Sequence, residues 1–280
     1  MATRKKSVSP QKVSGLLTHK NYHSDENTYL SNSKINDYLK DPRYFKEKHI
    51  DKTLVEEPTD ALILGQAVDT YLFYGKKKFE QMFKPVARRD KKLQTSFIQL
   101  NQTQYTDVLS MVSAVQQTSA WRELKQYDTQ RVFAIKVDVG KHFTGLCGML
   151  DTFYHDTKTN IAYIVDLKTA KTIDPKSYFW HCRSYGYFRQ MAMYSILVEH
   201  TLAPKKIVYR HLTVEKDPQG LHHVQTFEFH EQLIEDAKKE LLSTIQDIKN
   251  DTEFARPDAS FEFPILIGGA KPDAQGFIEV

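Results

Sequence analysis

Cysteine is scarce in this chain of 280 residues, with only Cys147 and Cys182. Two cysteines cannot build a disulfide framework, a cysteine-rich zinc site or a four-cysteine iron–sulfur cluster, and they suit a reducing, cytoplasmic setting. Long apolar runs are also lacking: no stretch reaches the roughly 18 residues a membrane span needs. The basic start, MATRKKSVSPQK, has no apolar segment after it, so it does not read as a secretory signal. Charge of one sign is not in great excess. The formal net charge is +4 and the pI is about 8.7, which alone does not demand a nucleic-acid partner. Internal repeats are absent.

What is present is the composition of a soluble globular protein, 40% hydrophobic and 26% charged, long enough to bury a substantial core. Aromatics reach 12%, which suits ring stacking or a tightly packed core. Residues 1–20 read as a flexible basic tail. Residues 21–255 read as one domain, with N-terminal helices over 21–125, a meander and helix over 130–200, and closing strands and a helix over 205–250. Residues 256–280 form a C-terminal tail. In the first part, Ser31 or Ser33 caps a helix carrying Ile35, Tyr38 and Leu39, and Pro42 starts another. DALILGQAVDTYLFYGKKKFEQMF reads as one helix, and residues 95–125 as one or two helices with Leu100, Val108, Met111, Val112 and Val115 inside. Between them, Arg88, Arg89, Lys91 and Lys92 form either a solvated loop or a nucleic-acid contact.

The middle is rich in β-branched and aromatic residues. RVFAIKVDVG, KHFTGLCGMLDTFY and NIAYIVDLKT read as an antiparallel meander. A long helix over about 176–199 follows, then two strands and a helix from about 230 to 250. The fold class is α/β (α+β) with a mixed central sheet flanked by helices.

Alternation on the strand 161–168 sends Asp166 and Lys168 to the same face as Ala162 and Ile164. A hairpin turn centred between Lys158 and Thr159 places Asp151 across from Asp166. Two carboxylates so close repel unless one is protonated or a cation lies between them, and oxygen ligands suit Mg²⁺. Lys168 beside them could neutralise a phosphate or help activate a water. An ion pair at the end of a hairpin is the bland alternative. On the next helix, Tyr187, Gln190 and Tyr194 share a face, either as ordinary packing or as substrate contacts.

Taken together and in order, these segments resemble the PD-(D/E)XK nuclease superfamily, and within it the RecB-like, RecE-type (exodeoxyribonuclease VIII-like) phage exonucleases. YHSDENTYLSNSKINDYLKDPRYFK is similar to the family's N-terminal segment and LGQAVDTYLF to its G-x-A-x-H helix. GMLD is similar to G-x-x-D, VDLKTA to D-x-K-T and QMAMY to Q-x-x-x-Y. The resemblance implies a restriction-endonuclease-like core that cleaves DNA from an end with Mg²⁺, for which Mn²⁺ can substitute, leaving single-stranded overhangs. It implies Asp151, Asp166 and the Leu167 carbonyl as metal ligands and Lys168 as the residue acting on water or phosphate. Thr169, Gln190 and Tyr194 would support the site or hold DNA. Implied partners are duplex DNA ends, a single-strand annealing protein and further copies of the chain, in a bacterial or phage-infected cytoplasm. Two positions depart from the pattern. Asp69 stands where the family has a metal-binding His, and Asp128 or Gln130 where it has a Glu. The alternative they motivate is a catalytically weakened nuclease fold that binds DNA ends or recruits a recombination partner.

Overall fold

The computed structural model describes residues 17–19, 21–24, 27–54, 56–87, 95–217 and 219–255. Most of the expected N-terminal tail, the cluster from Arg88 to Lys92, and the expected C-terminal tail lie outside them.

The centre is a five-stranded sheet of order β3-β4-β5-β6-β7. β3 (Asp128–Ile135), β4 (Leu146–Asp156) and β5 (Ile161–Ala170) form the expected antiparallel meander. β6 (Lys206–Glu215) runs parallel to β5, and β7 (Val224–Phe229) antiparallel to β6, so the sheet is mixed. A parallel neighbour requires a crossover, here made by α7 (Pro175–Ser184) and α8 (Tyr187–Leu202).

Both faces of β5 are covered, which is why the strand is apolar almost throughout. Ala162, Ile164 and Ala170 enter a core shared with α8 and with α9 (Glu231–Asn250). Val165 and Leu167 enter a second core on the opposite face. That core is built from α3 (Asp60–Asp69), α4 (Lys76–Met82), α5 (Gln102–Gln117) and α6 (Ser119–Leu124). Ahead of these, α1 (Asn32–Lys40) is capped by Ser31, whose Oγ accepts from Lys34 N, and α2 (Pro42–Phe45) begins at the expected Pro.

Several expectations are corrected. The helix over residues 60–83 is three pieces: α3, a π-helical turn Thr70–Tyr74, and α4 after Gly75, whose φ of +86° stops it. The helix over 176–199 divides at Gly186, φ +67°, into α7 and α8. Residues 83–86 and 98–101 pair as a small parallel sheet of β1 (Phe83–Val86) and β2 (Ile98–Asn101), so Leu100 is buried from a strand. Asn101 and Gln104 then form a reciprocal capping box that opens α5. On α1, Ile35 is buried, whereas Leu39 is 49% exposed. Among the described residues, no helix is long and apolar enough to cross a membrane.

Candidate active site

The β4–β5 hairpin has the anticipated register: Thr152 pairs with Val165, and the pairing continues to Asp156 with Ile161. The next rung would join Asp151 to Asp166, but the ladder stops before it. Asp151 has no partner on the β3 side either, since Thr129↔Thr152 and Arg131↔Leu150 flank the gap. Leu150 and Phe153, three residues apart, both face the α8 core, so the alternation of β4 slips at Asp151. Across the gap, Gln130 takes a left-handed φ of +50°, an uncommon conformation for a residue with a Cβ. The irregularity has a local result. The Asp151 carboxylate accepts from the Leu167 amide at 2.9 Å and from Gln130 Nε2 at 3.1 Å. A side chain thereby replaces the missing backbone partner and draws Asp151 to the polar end of β5.

Asp166 is 2% exposed, and its Oδ2 lies 2.5 Å from Lys168 Nζ. Helix α8 supplies the other contacts. Lys168 Nζ donates to Gln190 Oε1 at 2.9 Å. Gln190 Nε2 donates to Asp166 Oδ1 at 3.2 Å and to Tyr194 Oη at 2.8 Å, and Tyr194 Oη donates to the Met149 carbonyl at 2.9 Å. The Tyr187 ring lies 4.4 Å from Lys168 Nζ, as a cation–π partner. Gly148 is what lets the helix come so close. A Cβ there would sit 2.9 Å from the Tyr194 ring. The G of the GMLD segment and the Y of the QMAMY segment are thus two sides of one contact.

Asp69 reaches this centre from the far side of the sheet, at the end of α3. The helix packs close to β5 at Gly65, where a Cβ would meet Thr169 Oγ1 at 3.5 Å. Burial, and then the charges of Asp151 and Asp166, push the Asp69 carboxyl well above its usual pKa. Burial and the charge of Asp166 likewise raise Asp151 to about 7. For Lys168, burial opposes the charge, but Asp166, Tyr187 and Asp151 outweigh it and the pKa is raised. The ammonium therefore stays protonated at neutral pH. Tyr22 and Tyr74 border Asp151: burial raises the pKa of both, joined at Tyr74 by the charges of Asp151 and Asp69 and at Tyr22 by Cys147 and then Asp151, and Tyr74 Oη lies 2.6 Å from His19 Nε2.

The residues singled out from the sequence divide accordingly. Asp151, Asp166, Leu167, Lys168, Gln190, Tyr194 and Gln130 form one connected network, with Asp69 facing it. Asp128 is engaged elsewhere, accepting from Arg131 Nη1 at 2.8 Å, so Gln130 holds the position near the acids. Thr169 faces α3 rather than Lys168. Tyr22 and Tyr74 were not picked out as site residues. The Tyr-His pair at 22–23 marks the first, and nothing local marks the second. Among the described residues, no three His, Cys, Asp or Glu side chains converge tightly enough to cage a metal. The donor set nevertheless fits a hard divalent cation. It is all oxygen, and burial together with the mutual repulsion of its acids raises two pKa values.

A family profile described as a PDDEXK-like domain of unknown function (DUF3799) matches residues 31–259. None of the curated proteins matches the chain. Among solved structures, one named "Putative exonuclease" from Eubacterium rectale aligns with a TM-score of 0.64 at 18% identity, over 84% of this chain and 87% of that one. A "phage related exonuclease" from Haemophilus somnus 129PT aligns at 15% identity over 82% and 96%, with a TM-score of 0.32. The first is a likeness of fold, and the second carries no argument.

Proposed function

The chain belongs to the family of PDDEXK-like domains, and from that premise we propose that it is a Mg²⁺-dependent DNA exonuclease. It would hydrolyse phosphodiester bonds from duplex ends and leave single-stranded overhangs for phage-type recombination. The observation that carries this reading is the gathering of three groups at one end of β5: Asp166 and Lys168 are joined through the side chain of Gln190, and Asp151 is held beside them by the Leu167 amide.

Asp151, Asp166 and the Leu167 carbonyl would hold the cation, with Asp69 placed to complete the set. A divalent cation bound there supplies positive charge to a phosphoryl oxygen and lowers the pKa of a water. The chain's own residues do the rest. Lys168, held as an ammonium, neutralises charge developing on the phosphate and is poorly suited to act as a base. Gln190 fixes the relative positions of Lys168 and Asp166, accepting from one and donating to the other. Tyr194 anchors Gln190 to β4. Gln130 orients Asp151 as a neutral donor where a further carboxylate would add charge. The single domain over 21–255, the annealing-protein partner, the assembly of several copies and the cytoplasmic setting belong to the same proposal.

The test is digestion of linear duplex with Mg²⁺ or Mn²⁺, comparing the wild-type chain with Lys168→Ala and Asp166→Asn. Loss of product in both variants is expected. Wild-type inactivity with both metals would sink the exonuclease reading. The amide of Gln130 and the Asp at 69 favour one second reading, a weakened nuclease fold that binds DNA ends. It predicts salt-sensitive duplex binding without product.

A further inference from the structure

An aromatic column rises from the sheet beside the site and ends at the surface. The Phe227 ring stacks on Tyr178 with centroids 4.3 Å apart and planes inclined by 19°. Tyr178 stacks on His181 at 6.0 Å and 14°, and His181 meets Tyr185 at 4.4 Å and 30°. The base of the column is rigid. Tyr178 is 1% exposed, its Oη accepts from Thr213 Oγ1 at 2.9 Å, and it lies 2.7 Å from His211 Nδ1. The top is open, because Tyr185 is 60% exposed.

The column also leads to the chemistry. Tyr187 is 5.6 Å from His181 and 5.9 Å from Tyr185, and the same ring lies against Lys168. A strand with a phosphate at Lys168 therefore has aromatic rings within about one nucleotide of it. Burial first, and then the positive charges of Lys216 and Lys168, hold the His181 imidazole below its usual pKa. The ring is thus neutral, with two cations in electrostatic reach. Neutral rings beside cations match the two surfaces of single-stranded DNA, its base faces and its phosphates. A packed core would explain Phe227 and Tyr178. It does not explain why the stack continues through His181 to an exposed ring.

We infer that the Phe227–Tyr178–His181–Tyr185 column is a stacking platform on which an unpaired nucleobase of the bound strand extends the stack from Tyr185. The inference rests on the nuclease reading of the site and adds to it a preference for a frayed or single-stranded end.

The test uses the full chain without divalent metal and two labelled 12-nucleotide probes, oligo-dT and an abasic strand of equal length and charge, with affinity read by fluorescence anisotropy. The wild type should bind oligo-dT about 5- to 100-fold more tightly than the abasic strand, the range expected for one stacked base. Tyr185→Ala should erase that preference while leaving abasic affinity unchanged, and Tyr185→Phe should retain it. Equal wild-type binding of the two probes, or an equal loss on both in Tyr185→Ala, overturns the platform. The nuclease reading survives that result if the wild type still cleaves duplex with Mg²⁺. Absence of both binding and cleavage overturns the two together.

Discussion

At the scale of single residues, Lys168 and Gln130 set the electrostatics of the centre. Lys168 is the one cation in the network that meets Asp166, and removing it leaves neighbouring buried acids without compensation. Lys168→Ala should lower the cleavage rate by about a hundredfold or more. It should also destabilise the metal-free protein by about 3–5 kcal/mol in urea unfolding. Asp151, raised to about 7, must shed a proton to hold a cation. Mg²⁺ affinity measured by calorimetry should therefore rise as pH increases towards 7, by up to about tenfold per unit for each proton shed. Gln130→Glu restores a carboxylate beside Asp151. It should tighten Mg²⁺ binding and, without metal, lower the melting temperature, because one more acid joins the cluster.

At the scale of elements, Gly148 couples a strand to a helix. Gly148→Ala pushes a methyl into the Tyr194 ring, and overpacking of this kind costs about 1–3 kcal/mol. Urea unfolding should show that loss, together with reduced cleavage, because Tyr194 anchors Gln190. Much of this level was legible in advance. The hairpin register followed from where the turn falls, and Asp166 and Lys168 share a face as strand alternation requires. The slip at Asp151 was not legible, because it depends on Gln130 adopting a positive φ, which its side chain does not announce. The breaks at Gly75 and Gly186 were missed because helical patterning resumes on both sides of each glycine, and a single glycine within such a pattern is tolerated at a cost of only about 1 kcal/mol. β1 and β2 are four residues each and pair across a gap in sequence, so neither carries a period long enough to read.

At the scale of the whole molecule, two cores clamp the sheet and bury polar groups between helices and strands. His211, opposite Asp166 on β6, is held neutral. Burial, then Lys168 and His181, lower its pKa well below the usual value. A histidine whose pKa is lowered by folding contributes stability above its unfolded pKa of about 6.5, and that contribution is lost as pH falls below it. Each pH unit below that point should cost up to about 1.4 kcal/mol until the folded pKa is reached. Urea midpoints between pH 7.5 and 5 should fall more steeply for the wild type than for His211→Asn. The crowding of Asp69 against Asp151 and Asp166 has a consequence on a longer timescale. Neutralising one acid, as in Asp69→Asn, would make a sturdier chain with a weaker hold on a cation. Selection for durability and selection for turnover then pull the same side chain in opposite directions. An acid retained at position 69 across descendants would mark lineages in which catalysis, rather than mere persistence, was under selection.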